Sequence, residues 1–430
     1  MKRWMKGQTM KYDFLVVGGG AAGMMAAGRA AELGLSACLV EKGARLGRKL
    51  RITGKGRCNV TNSCSVQEVV AAVPSNGRFL YGAVSAFPPQ EVMAFFQGLG
   101  VPLKTERGNR VFPVSDHASD VVEALESWLR GNGCQVRAGA AVSSLLLREG
   151  RAAGAVLEGG ETLEADAVLV ACGGASYPAT GSSGDGFRLA AQAGHTVTPL
   201  RPSLVPLVAQ GDDCREMMGL SLRNTGLSLW DAEKKKEIYR DFGELLFTHF
   251  GLSGPVILSA SSHMRHMEPG RYQVRLDLKP ALRPEQLDAR LQRDFTENRN
   301  RDFANSLGGL LPRKLIPVAV RRSGIPPETK CNAITREMRW QLGALLKQFT
   351  FSIQGFRPLE EAIVTSGGVS VRELNPKTME SKLVPGLYFA GEVVDVDAYT
   401  GGFNLQIAFS TGRAAAQAAA AGAPNHIEEG

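Results

Sequence analysis

Gly18, Gly20 and Gly23 stand in the spacing G-x-G-x-x-G within "DFLVVGGGAAGMMAAG", and Glu41 follows eighteen residues after the last of them. Glycines so placed let a strand turn sharply into a helix, let a phosphate touch backbone, and let helix and strand pack closely. The helix N-terminus adds unpaired N–H groups and a positive dipole end, worth roughly 0.3–1 kcal/mol per anionic charge. A carboxylate closing the next strand accepts the two hydroxyls of an adenosine ribose and repels a 2′-phosphate. Types and order together point to a dinucleotide.

The elements that must hold these residues are legible around them. Residues 12–17 read as a buried strand, a small-residue helix runs to about Gly34, and "SACLVEKG" is a second strand ending at Glu41. The chain then enters "GRKLRITGKGRCNVTN", residues 47–62, with five cations, three glycines and no acid. Directly after the ribose acid, Arg48, Lys49 and Arg57 are placed to face phosphate oxygens, and Gly54 and Gly56 let backbone approach a flat ring. The Walker pattern is absent, and no aromatic residue is interleaved for base stacking. The loop therefore reads as wrapping a dinucleotide. Further on, alternating short strands turn at Glu149–Gly150 and Gly159–Gly160 and deliver "ACGG" (171–174). "YPATGSSGDGFRLAAQAGH" is another glycine turn entering a helix, with Asp185 as its cap, but not a second G-x-G-x-x-G.

Hydrophobic content of 44% and charged content of 21% belong to a folded globular chain. Lys plus Arg exceeds Asp plus Glu by 50 − 42 = 8, an excess that reads as scattered and so argues only weakly for nucleic acid. Seven cysteines without any C-x-x-C indicate neither a metal site nor a dithiol pair, and fit a reduced, cytoplasmic compartment. The N-terminus imitates a secretory signal, but its apolar stretch is broken by three glycines; Met10 is an alternative start to Met1. No run of eighteen apolar residues predicts a membrane span. Texture divides the chain into a nucleotide-binding part, 1–195, an insert that is β-rich then helical, 196–355, and a returning nucleotide-fold part, 356–430. A cleft between two such pieces is where a substrate is expected.

"VVGGGAAGMMAA", "LGRKLRITGKGRCNVTN", "SYPATGSSGDG", "GELLFTHFGLSGP" and "TSGGVSVRELNPKTMESKLVPGLYFAGEVVDVDAYTGGFNLQIAFSTG" together resemble the HI0933-like FAD-dependent oxidoreductases over nearly the whole chain. The resemblance implies an α/β fold: a glutathione-reductase-type Rossmann FAD domain interrupted by an inserted β-rich and helical domain. It implies FAD contacts from Gly18, Gly20, Ala22, Gly23, Glu41, Lys42, Arg48, Lys49, Gly54, Arg57, Cys58 and Asn59. Further contacts are implied near Val142, at Cys172 and Gly173, and at Gly391, Glu392, Asp397, Gly402, Asn404 and Leu405. The FAD is expected to be non-covalent, since no attachment histidine precedes the loop. A looser similarity to fumarate reductase and ketosteroid dehydrogenase flavoproteins suggests two-electron chemistry at a C–C bond beside a carbonyl.

Within the family, the implied activities are saturation of the 4- and 6-enes of 3-oxo bile-acid intermediates, or oxidation of small amino ketones. The first is the leading expectation, with NADH or NADPH as donor although no second G-x-G-x-x-G serves it. Such a reduction needs a proton donor and a carbonyl-polarising group. The candidates are His249, Tyr399 and Cys58, ahead of Tyr177, Thr180, Ser182, Asp185 and Asn404. The expected substrate is a small apolar molecule, with room in the positive net charge for an anionic one; neither nucleic acid nor membrane is an expected partner. The rival reading is an RNA-modifying flavoprotein.

Overall fold

The computed structural model describes residues 11–423, so both candidate start residues lie outside it. The described chain forms two compact units, one from residues up to Pro202 together with those from Leu359 onward, the other Ser203–Pro358.

In the first unit, β1 (Lys11–Val17) leads through the glycine turn to α1 (Ala21–Glu32) and β2 (Ala37–Glu41). There follow α2 (Arg48–Gly56), α3 (Ala118–Gly131), β3 (Gln135–Ala138), β4 (Val142–Arg148), β5 (Arg151–Leu157), β6 (Thr162–Val170) and α4 (Asp185–Gln192). After the second unit the chain returns as β7 (Leu387–Phe389) and α5 (Phe403–Gly422). One sheet has the order β3-β2-β1-β6-β5-β4, with β7 also pairing β6. The strands β3, β2, β1, β6 and β7 are mutually parallel, and β4 and β5 complete an antiparallel meander on the first half of β6. β1 is central because its apolar run is continuous: Phe14, Leu15 and Val16 are fully buried, as a strand covered on both faces requires. Glu149 and Gly150 both adopt left-handed backbone, the geometry of a tight hairpin turn between β4 and β5.

The second unit is a closed six-stranded barrel with helices against it. Its strands, in spatial order, are Leu207–Ala209, Gly251–Ser253, Lys236–Phe247, Ser221–Asp231, Tyr272–Asp277 and Phe349–Phe356, which pairs back with the first. Strict alternation decides which side chains point inward. In Tyr272–Asp277 the buried residues are Tyr272, Val274 and Leu276, and in Phe349–Phe356 they are Phe349, Phe351 and Ile353. Helices Pro284–Glu297 and Arg336–Lys347 add Leu287, Leu291, Phe295, Leu342 and Leu346 to the same core.

This division corrects the reading of charge as scattered. Ser203–Pro358 carries 24 Lys and Arg against 17 Asp and Glu, so seven of the eight excess positive charges belong to the second unit.

Candidate cofactor site

The glycine turn is built by close approach. Gly18 has φ +109, and a Cβ there would stand 2.5 Å from the Ala171 carbonyl oxygen at the end of β6. A Cβ at Gly23 would be driven into the Gly18 carbonyl, so α1 lies directly on its own strand. A Cβ at Gly20 would meet nothing within 4 Å: this residue faces open space at the N-terminus of α1, which no side chain caps. Ala22 packs between Gly391 and Gly412, where α5 crosses α1.

Glu41 stands at the end of β2 beside this turn. Its two oxygens accept the backbone N–H groups of Gly19 (2.8 Å) and Gly43 (2.6 Å). Each oxygen keeps a further acceptor position. Ala140 and Gly139, leading into β4, donate their N–H groups to the carbonyls of Glu41 and Gly43, and the Val142 carbonyl accepts from Arg188.

Sequence reasoning aims Arg48, Lys49 and Arg57 at phosphate oxygens, but in the fold each of these, like Lys42, is met by a group of the protein. Lys42 donates to Ser183 and to Asp185 (2.5 Å), and Arg48 donates to the Ala179 carbonyl (2.6 Å). Lys49 donates to Ser176 (2.8 Å) and to both oxygens of Glu392 (3.0 and 2.7 Å). Arg57 is held by Glu106 and Asp116 and lies 4.1 Å above the Phe112 ring. The hydrogen bond from Arg57 holds the Glu106 carboxyl below its ordinary range, and those from Lys104 and Arg57 do the same for Asp116. Asp185 does not cap α4. It is that helix's first residue, Gly184 is the cap, and its carboxylate pairs with Lys42 instead.

Two residues without a spacing signal complete this network. Glu392 Oε1 also accepts from Ser176 Oγ (3.1 Å) and the Thr365 N–H (2.9 Å), while Thr365 Oγ1 accepts the N–H groups of Ala175 and Ser176. Ser176 and Thr365 lie 189 residues apart, which is why no local pattern points to them.

The structure weighs against Cys58 as a nucleophile. It is fully buried, and burial pushes its thiol up to about 12, which disfavours a thiolate there at neutral pH. Neighbouring Asn59 keeps a buried amide oxygen, Oδ1, without any hydrogen-bond partner. Gly54 has φ +57, and a Cβ on it would come to 3.1 Å from the Asn59 nitrogen. Cys172 places its sulfur 3.5 Å from the Val17 carbonyl oxygen, beside left-handed Gly173. At the C-terminal side, Asn404 is also turned inward. Its amide grips the Ala398 N–H and carbonyl (2.9 and 2.8 Å) and so braces the loop that carries Asp397, buried, and Tyr399, half-buried. Gly402, cap of α5, lies against the Thr61 backbone, and Leu405 packs on the core below. His249 belongs to the second unit, on the exposed turn between Lys236–Phe247 and Gly251–Ser253, edge-on to Phe250.

A model of the HI0933-like protein Rossmann domain matches residues 12–418. The chain belongs to the HI0933-like family. It is 32% identical over 414 residues to the 3-dehydro-bile acid delta(4,6)-reductase of Clostridium scindens, covering 94% of this chain and 98% of that one. It is 30% identical over 408 residues to the ribosomal RNA dihydrouridine synthase of Escherichia coli, covering 95% and 98%. Among solved structures, a quinol–fumarate reductase (TM-score 0.52, 16% identity, 97% of this chain and 72% of that one) shares the fold. So does 3-ketosteroid delta1-dehydrogenase from Sterolibacterium denitrificans (TM-score 0.51, 14% identity, 96% and 99%).

The residues present fit the dinucleotide that the HI0933-like fold implies. Gly20 opens onto free space at a bare helix N-terminus, Glu41 is oriented with spare acceptor positions, and Asn59 Oδ1 is buried without a donor. Among the described residues no helix is long and apolar enough to cross a membrane.

Proposed function

We propose that this chain is an FAD-dependent oxidoreductase that reduces a carbon–carbon double bond conjugated to a carbonyl, with NADH or NADPH as the electron donor. The observation that carries this reading is chemical agreement between relatives of different substrate. A 3-dehydro-bile acid delta(4,6)-reductase saturates double bonds in line with a 3-ketone. A dihydrouridine synthase saturates the uracil bond next to its 4-carbonyl. Bound FAD would supply the two electrons as a hydride. The chain's part is to hold the ribose at Glu41, to receive the pyrophosphate at Gly18, Gly20 and the N-terminus of α1, and to offer Asn59 and the Gly391–Leu405 stretch to the flavin end. Tyr399 is our candidate for the phenol that polarises the carbonyl or delivers the proton to the α-carbon, since Asn404 fixes its loop and burial disfavours a thiolate at Cys58.

The leading substrate is a 3-oxo-4-ene or 4,6-diene bile-acid derivative. A second reading, a uracil within RNA, is favoured by the concentration of seven excess positive charges in Ser203–Pro358, as a phosphate backbone requires. One experiment separates them. Enzyme reduced anaerobically is mixed either with the 3-oxo-4,6-diene bile acid or with ribosomal RNA made without modification. The first reading predicts return of the oxidised flavin spectrum and a saturated ketone. The second predicts reoxidation only by RNA, with a gain of two hydrogens per modified uridine. Rapid reoxidation by oxygen alone, with oxygen reduced to peroxide while a small amino ketone is oxidised, would refute both.

A further inference from the structure

β2 and β6 flank β1 in the sheet, and all three end on the same edge. After β6 the chain makes a compact loop whose ends meet, the Gly184 N–H donating to the Gly174 carbonyl at 3.2 Å. Loops of this length with closed ends are compact surface units packed by their own side chains and are frequently functional. This one is grasped by residues that follow β2. Lys42 holds its base at Ser183 and Asp185, Arg48 holds its tip at the Ala179 carbonyl, and Lys49 holds its start at Ser176. Because cations that follow β2 grip a segment that leaves β6, their contacts span the carboxyl end of β1, where the Gly18–Gly20 turn opens. In open parallel sheets that crevice is the ligand-binding edge.

We infer that Gly174–Gly184 is a strap across the mouth of the dinucleotide cradle, and that Lys42, Arg48 and Lys49 are its latch. The inference rests on the reading of the cradle as an FAD site. The three cations then serve the cofactor through the strap: FAD enters and leaves when the latch opens, and its exchange rate is set by the strap. The latch is also graded. The Lys42–Asp185 pair is one-third exposed (32% and 36%) and so open to screening by salt, whereas Lys49–Glu392 is more enclosed (22% and 19%).

The test uses the full chain loaded with FAD and follows binding and release by flavin fluorescence in stopped flow. Lys42→Ala and Asp185→Ala remove charge-assisted hydrogen bonds, so each is expected to speed release about tenfold and to speed association as well, with a smaller change in Kd. The reversed pair Lys42→Asp with Asp185→Lys should restore slow exchange, and Arg130→Ala, which breaks an ion pair on α3, should leave exchange unchanged. Release from the unaltered protein should quicken as salt rises from about 50 to about 500 mM. Faster release with unchanged association in the variants would overturn the strap in favour of direct contact between Lys42 and the cofactor. Exchange unchanged by both salt and substitution would overturn it outright. Should the variants fail to fold, the salt dependence decides. A protein that takes up no FAD at all would refute the cradle reading, an outcome distinct from these.

Discussion

Glu41 is fixed by two backbone N–H groups before any ligand arrives, so its remaining acceptor positions are preorganised. Glu41→Ala removes a charged acceptor and is expected to cost about 1.5–3 kcal/mol of FAD affinity, ten- to a hundredfold, in a titration of apoprotein. Unchanged affinity would place the ribose elsewhere. The acid was legible because its distance from the glycine turn is a local property of one strand, one helix and the next strand. Cys58 was not. Arg57 beside it suggests an acidic thiol, but that guanidinium is bound to Glu106 and Asp116, 49 and 59 residues further along the chain. Burial raises five of the other thiols too, Cys134, Cys172 and Cys214 to about 12 and Cys38 and Cys64 to about 11, and Cys331 is itself buried. Native protein at pH 8 should therefore react with a disulfide reagent at well under one equivalent, against all seven cysteines once unfolded. Fast labelling of native Cys58 would restore it as a reactive candidate.

Local periodicity also made the strands and helices legible, but not how they are strained or joined. Within α2, Thr53 is extended and Gly54 and Lys55 are left-handed, so a stretch that reads as a loop is a helix broken at its end. Lys55 at φ +60 carries the strain of a side chain in that region, about 1–2 kcal/mol, part of it offset by the chain entropy a glycine loses. Lys55→Gly should accordingly stabilise the protein, by roughly 0.5–1 kcal/mol in denaturant melts; a loss of stability would show that the lysine is held by something else. A second long-range join is made by His195, whose Nε2 lies 2.8 Å from Ser381 Oγ and whose Nδ1 lies 3.1 Å from Glu373. Ser381 Oγ already accepts two backbone N–H groups, so its proton goes to His195 and the ring is neutral, with Nδ1–H donated to Glu373. Burial depresses the His195 pKa against the pull of Glu373, and burial with Arg265 lowers that of His263 to about 4. The unfolded chain then binds more protons than the folded one below pH about 6.5, and stability falls as pH drops through that value. Thermal midpoints should decline from pH 7 toward pH 5, less steeply in His195→Gln; an identical slope in both would assign the acid sensitivity to other groups.

At the scale of the molecule, the glycine fingerprint, the inserted unit and the return of nucleotide-fold texture near the end could be read from the chain, because each is a shift in local composition. The closed barrel could not, since it depends on which distant strands pair, whereas the charge excess of Ser203–Pro358 belongs to one contiguous stretch and needed only a count within its bounds. The second unit is contiguous, and its barrel closes without residues from outside it. Ser203–Pro358 produced alone should therefore unfold in one cooperative transition, whereas a chain ending at Pro202 should lack one; the reverse pattern would contradict the division. The first unit has no such independence. β7 pairs the second half of β6, the Ala390 N–H donates to Val170, and α5 lies so close on α1 that a Cβ at Gly412 would strike the Ala22 carbonyl. On the ribosome this imposes an order of events. The glycine fingerprint emerges before the barrel, yet it must wait through the whole barrel for the strand and helix that complete it, so the cradle is complete only once α5 has emerged.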